Sequence, residues 1–265
     1  MRWQSMMLVG AIVLIGIGAT DRAEVGATTP NQPLAKATTA NVAFATPVAP
    51  AGPPSARAEV IKSALSALSE HVVRQSSPNA LRSAITAYYN FKAENPDEVK
   101  KPYLYYIDYG LSNSTPRGYV FNMETLELIQ GPFIVAHGRG SGPKNAVPRR
   151  FSNRHGSAAT SLGLYVTQET YGFSGKSGGR HYTSVGLRMS GESGRFNSNA
   201  RGRGVVVHGA PYVTPSAAGR SEGCPAMEQF RARKLLPMLA HGSVVFQYSP
   251  HDADWLQNDP WVNAE

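Results

Sequence analysis

The alternation of apolar and polar positions divides the chain into four stretches. Residues 6–19 are entirely Leu, Val, Ile, Met, Ala and Gly, and Thr20, Asp21 and Arg22 close the run. Residues 21–56 show no period and repeat Ala, Thr and Pro, a composition that buries too little apolar surface to order itself. From Arg57 to about Gln75, Val60, Ile61, Ala64, Leu65, Leu68 and Val72 recur at three and four residues, which predicts an amphipathic helix. A second helix is predicted after Ser77 and Pro78, with Leu81, Ile85, Tyr88 and Tyr89 on one stripe, to about Glu94. Asn95, Pro96 and Asp97 then break the pattern. Short runs rich in β-branched and aromatic residues follow at 103–109, 118–123, 126–137, 161–170, 184–189, 204–209 and 242–248, each bounded by turn residues. Gly/Ser/Arg/Asn stretches at 138–160, 171–181 and 190–203 are predicted to be long loops. A helical hairpin followed by many strands predicts a mostly β, α+β domain with a largely antiparallel sheet or barrel.

Composition narrows this picture. Among 265 residues there are 26 Lys+Arg and 18 Asp+Glu, a formal charge of +8, with 42% hydrophobic residues, which excludes a wholly disordered chain. The 26 Gly and 19 Pro exclude a long-helix bundle. The apolar run at 6–19 would span about 21 Å as a helix, short of the roughly 30 Å needed to cross a bilayer. Residues 1–20 are therefore expected to be a cleavable export signal, or failing cleavage an anchor, which places the protein in the periplasm or cell envelope. The expected organisation is signal 1–20, linker 21–56, helical hairpin 57–97, a mostly β domain 98–250 and tail 251–265. Residues 137–203 hold eleven Lys/Arg against Glu169 and Glu192, a basic region suited to an anionic polymer or carboxylate-bearing substrate. No nucleic-acid motif accompanies it, and nucleic acid is not an expected partner.

Cys224 is the single cysteine, so neither an intrachain disulfide nor a Cys-based zinc cluster can form. In an exported protein a lone thiol has to be idle or chemical. His208 ends the run 204–207 just before Gly209, Ala210 and Pro211, and Ser221, Glu222, Gly223 and Cys224 follow. A helix is expected to start at Pro225, placing Cys224 at its cap, where free N–H groups would favour a thiolate. The N–H groups of Gly223 and Cys224 are candidates for an oxyanion hole, and His208 for the base that takes the thiol proton. His137, also followed by glycine, is the rival for the base and otherwise a substrate contact. Arg220 is a candidate for substrate carboxylates. A metal site of His137, His208 and Cys224 lacks close ligand spacing, and no metal or cofactor is expected.

These residues resemble the murein L,D-transpeptidase family of YkuD type, whose signature is His-Gly after a strand, a gap, then Ser-x-Gly-Cys. Here the signature is His208-Gly209 and Ser221-Glu222-Gly223-Cys224. The likeness extends to 105–123, 135–142, 152–171 and 219–227. The resemblance implies a β-sandwich or barrel catalytic domain acting on peptidoglycan stem peptides. In it Cys224 is the nucleophile and His208 the base, the Gly209 carbonyl orients the imidazole, Gly223 helps to form the oxyanion hole, and Ser221 orders the loop or binds substrate. The thioester would be resolved by a stem amine, giving a 3→3 cross-link, or by water, as in an L,D-carboxypeptidase. A weak or inactive wall-binding scaffold on the same fold is the alternative. Glu222 and Ala226 depart from the residues many members carry there, and a carboxylate at 222 would tend to raise the thiol pKa.

Overall fold

A computed structural model describes residues 54–263. The predicted export segment, and the linker up to residue 53, lie outside the described residues. Helices α1 (Pro54–Ser69) and α2 (Ala80–Glu94) form the expected pair and pack on each other. Ala84, Ile85, Tyr88 and Phe91 of α2 are fully or almost fully buried, because their spacing puts them on the face that meets the sheet.

Ten strands follow: β1 (Tyr103–Asp108), β2 (Gly118–Asn122), β3 (Glu127–Phe133), β4 (His137–Gly138), β5 (Gly163–Ser177), β6 (Arg180–Gly191), β7 (Val206–Gly209), β8 (Arg220–Ser221), β9 (Ala226–Met227) and, after helix α3 (Gln229–Leu239), β10 (Val244–Tyr248). A short α4 (Ala253–Asn258) ends the fold, and its Trp255 is fully buried against Phe246 and Tyr248, so residues 253–258 belong to the core. The fold is sheet-rich α+β. Eight strands form one sheet in the order β3-β2-β1-β10-β5-β6-β7-β9, and β4 pairs with β8. Pairing is mostly antiparallel, as expected, with β1–β10, β7–β9 and β4–β8 parallel. The crossovers between them are made by the long connections that hold the functional loops.

The sheet also curls back on itself. Phe133, at the end of edge strand β3, pairs with Gly118, and three residues later the Ala136 N–H donates to the Ala226 carbonyl of β9 at the opposite edge (2.8 Å). One continuous segment thus ties the two edges together, as in a barrel that removes exposed edges. The middle of the sheet is dry and aromatic, with Tyr105, Tyr106, Phe121, Tyr165 and Phe246 fully buried.

The stretch 171–181, expected to be a loop, is instead the outer half of the β5–β6 hairpin, paired out to Ser177 and Arg180. Tyr171, Phe173 and Tyr182 supply alternating large side chains, and Gly178 and Gly179, both at positive φ (56° and 79°), make the tight turn. Gly172 and Ser174 are outward-facing positions of this ribbon and Gly178 and Gly179 its turn.

Candidate active site

Register brings the two signature segments together. In the parallel β7–β9 pair His208 lies opposite Ala226, and the His208 N–H donates to the Pro225 carbonyl at 3.2 Å. Cys224, two residues before Ala226, and His208 consequently line one cavity of about 280 Å³, with Phe173, Lys176, Tyr182, Tyr212, Arg220, Ser221 and Glu222 around it. Helix α3 starts only at Gln229, after Glu228, so the expected helix cap at Cys224 is corrected. Residues 226–227 are drawn into a strand by β7, which leaves the sulfur without a helix end to favour its anion.

Cys224 is half-buried. Its Sγ accepts the Val206 N–H at 3.5 Å and lies 3.7 Å from the Gly204 carbonyl, which a thiol proton reaches. Burial pushes the thiol above its ordinary pKa of 9.0; the Val206 N–H and Arg203 pull it down, and Glu222 adds to the rise. His208 is 2% exposed and burial pushes it down to about 4, so its imidazole is neutral near pH 7. Its Nδ1 faces the Gly209 carbonyl at 3.1 Å; a carbonyl only accepts, which assigns the proton to Nδ1 and the lone pair to Nε2. Phe173 stacks on the ring at 4.1 Å and 17°, and Tyr212 meets it edge-on at 6.4 Å. The cavity therefore holds a neutral thiol and a neutral, oriented imidazole.

Ser221 orders the cysteine turn. Its Oγ donates to the Cys224 carbonyl at 2.6 Å and accepts the Gly223 N–H at 3.2 Å. The expected use of Gly223 as an oxyanion donor is corrected accordingly, since its buried N–H is already committed to that hydroxyl. The Cys224 N–H has no acceptor among the described residues. Gly223 is needed for a different reason: its φ is 127°, and a Cβ there would lie 2.9 Å from the Ala159 carbonyl.

His137 does not line the cavity. It is fully buried, its Nδ1 lies 3.1 Å from a guanidinium nitrogen of Arg117, and its Nε2 sits beside the Gly142–Pro143 backbone. The expected substrate contact is thus corrected to a scaffold position. Its strand β4 pairs with β8 (His137 with Arg220, Gly138 with Ser221), and the Arg139 N–H donates to the Ser221 carbonyl at 2.8 Å. A Cβ on Gly138 would come within 2.8 Å of the Gly223 Cα and 2.3 Å of the Ala158 carbonyl, so this glycine permits the close approach that positions the cysteine turn. Arg220, exposed, lies on the cavity wall.

Three contributors escaped the sequence reading. Arg203 donates to the carbonyls of Ser152 (2.7 Å) and Ala159 (2.6 Å), lies against Gly223, and is the cation that lowers the Cys224 pKa. Its only sequence signal was its place three residues before the strand that bears His208. Phe173 lay within a presumed loop. Arg139 ion-pairs with Glu222 at 2.7 Å, both exposed, which partly offsets the carboxylate beside the cysteine.

A half-buried cysteine in the turn before β9 and an oriented neutral histidine on β7 thus line one cavity. A family profile described as L,D-transpeptidase catalytic domain matches residues 73–248, and the chain belongs to that family. No curated protein matches. Among solved structures, the chain is similar to an L,D-transpeptidase from Mycobacterium smegmatis (14% identity, 55% of this chain and 58% of that one, TM-score 0.34). It is also similar to an L,D-transpeptidase from Stackebrandtia nassauensis (16% identity, 72% of this chain and 78% of that one, TM-score 0.35). The alignment to the first spans little more than half of that chain's length.

Proposed function

We propose that the protein is an exported cysteine acyltransferase that forms 3→3 cross-links between peptidoglycan stem peptides through a Cys224 thioester. The observation that carries this reading is the β7–β9 register, which puts His208 and Cys224 on one cavity wall. Cys224 Sγ attacks the carbonyl of the third stem residue while its proton passes to His208 Nε2. The Nδ1–H to Gly209 bond keeps the ring in the accepting tautomer and stabilises the imidazolium that forms. Oxyanion charge falls to the Cys224 N–H. The C–N bond breaks as His208 returns the proton to the departing D-Ala amine, and an incoming amine, or water, attacks the thioester and releases Sγ. Arg220 and Lys176, on the cavity wall, suit the carboxylates of the donor stem. Residues 98–250 are the proposed catalytic unit with 57–97 as its helical buttress, and residues 1–20 the proposed export signal.

The test is incubation of the purified protein and its Cys224→Ala variant with disaccharide tetrapeptides, followed by mass spectrometry. Loss of D-Ala and a 3→3 dimer with the native protein alone are expected. D-Ala loss without dimer would make it a carboxypeptidase, and binding without any product in either protein would make it a scaffold.

A further inference from the structure

A second cavity, of about 430 Å³, shares no lining residue with the groove of Phe173 and Tyr182. Its volume is that of small-ligand sites, roughly 300–1,000 Å³. Arg150, Arg154 and His155, all exposed, line it together with Ser157 and Ala159. Residues 138–160 contain Arg139, Lys144, Arg149, Arg150 and Arg154 and no carboxylate. Arg139 is taken by Glu222, whereas Arg150 and Arg154 have no ion-pair partner among the described residues. Arg150 Nε donates to the Gly140 carbonyl at 2.9 Å, which anchors that guanidinium at the cavity. Asp252 and Asp254 line a different cavity, where Asp254 is paired with Arg195 and Asp252 caps α4.

This cavity shares a wall with the chemistry. Ser157 and Ala159 both receive hydrogen bonds from Arg203, and the Ala159 carbonyl stands where a Gly223 side chain would begin, directly behind the residue preceding Cys224. A two-step acyl transfer needs two approaches to one sulfur, since the donor acyl group still occupies its groove when the acceptor arrives.

We propose that this basic cavity binds the carboxylate of the amine-bearing acceptor that resolves the thioester, with Arg154 and Arg150 as its specificity-determining residues. The proposal rests on the acyl-transfer reading above. With its carboxylate held there, the acceptor directs its amine to the thioester carbonyl. The new C–N bond forms, the C–S bond breaks, and the amine proton passes through His208 to Cys224 Sγ. An uncharged acceptor with the same amine lacks this anchor.

The test uses the preformed Cys224 acyl-enzyme, identified by its mass, with two acceptor pairs. Nα-acetyl-lysine against its amide presents an amine far from the carboxylate, as in a stem lysine; glycine against glycinamide presents them adjacent, as in a stem diaminopimelate or a free amino acid. Amide products are measured by mass spectrometry at equal concentrations of the uncharged amine. Native protein is expected to favour acetyl-lysine over its amide by about tenfold, the order of one charge-assisted contact. Arg154→Ala should bring that ratio near one, Arg154→Lys should restore part of it, and adding Arg150→Ala should erase the remainder. The ratio is internal to each preparation, so a smaller folded or acylated fraction cancels. An equal preference for glycine over glycinamide would extend the cavity to acceptors that carry amine and carboxylate on one carbon. Absence of acid-over-amide preference in the native protein, or its persistence in both Arg154→Ala and the double variant, overturns the proposal. Failure of Cys224 to acylate at all would instead overturn the transpeptidase reading on which it rests.

Discussion

His137 and His208 are each followed by glycine, each buried, and each pushed down to about pKa 4, yet only one lines the cavity with Cys224. The difference lies in what faces Nδ1. Arg117 only donates, so His137 Nδ1 must accept and the proton sits on Nε2, toward the Gly142–Pro143 backbone. The Gly209 carbonyl only accepts, so His208 holds its proton on Nδ1 and turns a lone pair outward on Nε2. Identical dipeptides thus become opposite tautomers through one neighbour, one bracing the loops and the other able to act as a base.

The largest effect expected from that contrast is on acylation. His208→Ala should slow acyl-enzyme formation by roughly 10²–10⁴-fold, the usual contribution of a positioned base. His137→Gln should lower the melting temperature while acylation per folded molecule stays within about tenfold. Time courses of acyl-enzyme mass beside thermal melts check both, and a reversal of the two variants would make His137 the base.

Next in size is Arg117. Its fully buried guanidinium satisfies the carbonyls of Val135 and Leu111 as well as His137 Nδ1, and it lies over the Tyr109 ring at 4.6 Å. Burial lowers its pKa to about 10, which leaves it charged at neutral pH. Arg117→Met strands these buried acceptors and should cost roughly 3 kcal/mol in denaturant titration. A loss below about 1 kcal/mol would mean that the loops are held by other contacts.

The strands and helices were legible because their periods are strong, and Cys224 and His208 stood out as a lone thiol and a strand-end histidine. Pairing was less so. The short β4, β8 and β9 are two residues each and exist only because distant segments bond to them, so the Pro225 signal for a helix start lost to the β7 ladder. The Gly223 N–H illustrates a second limit, since sequence offers a donor without showing that Ser221 already occupies it. Arg203 was invisible for the same reason: its role depends on carbonyls some 44 to 51 residues away.

Acid should weaken both histidine regions. Each imidazole is held near pKa 4 in the folded state against an ordinary 6.5, so between these values the unfolded chain binds more protons. Stability from this source is present above about pH 6.5 and falls as pH drops toward 4, by up to about 1 kcal/mol per pH unit for each histidine. Denaturant melts from pH 7.5 to 4 check the slope. His137→Gln should remove about half of it, and an unchanged slope would assign the acid sensitivity to carboxylates.

The smallest effect separates the charges around Cys224. Because the neutral His208 offers no cation to a thiolate, iodoacetamide alkylation of Cys224 should go on accelerating with pH past 9 rather than level off near neutrality. Glu222 opposes the thiolate, and its exposed pairing with Arg139 dilutes that opposition. Glu222→Gln should therefore speed alkylation at pH 8 by only about two- to threefold, and Arg139→Gln should slow it by a similar factor, both shrinking at high salt. Arg203→Gln should slow it more than Arg139→Gln does, since Arg203 outweighs Glu222 at the sulfur. A plateau of native alkylation between pH 5 and 8 would mean a thiolate–imidazolium pair, and the distinction drawn between His208 as a neutral base and His137 as a neutral brace would then fail at the first of them.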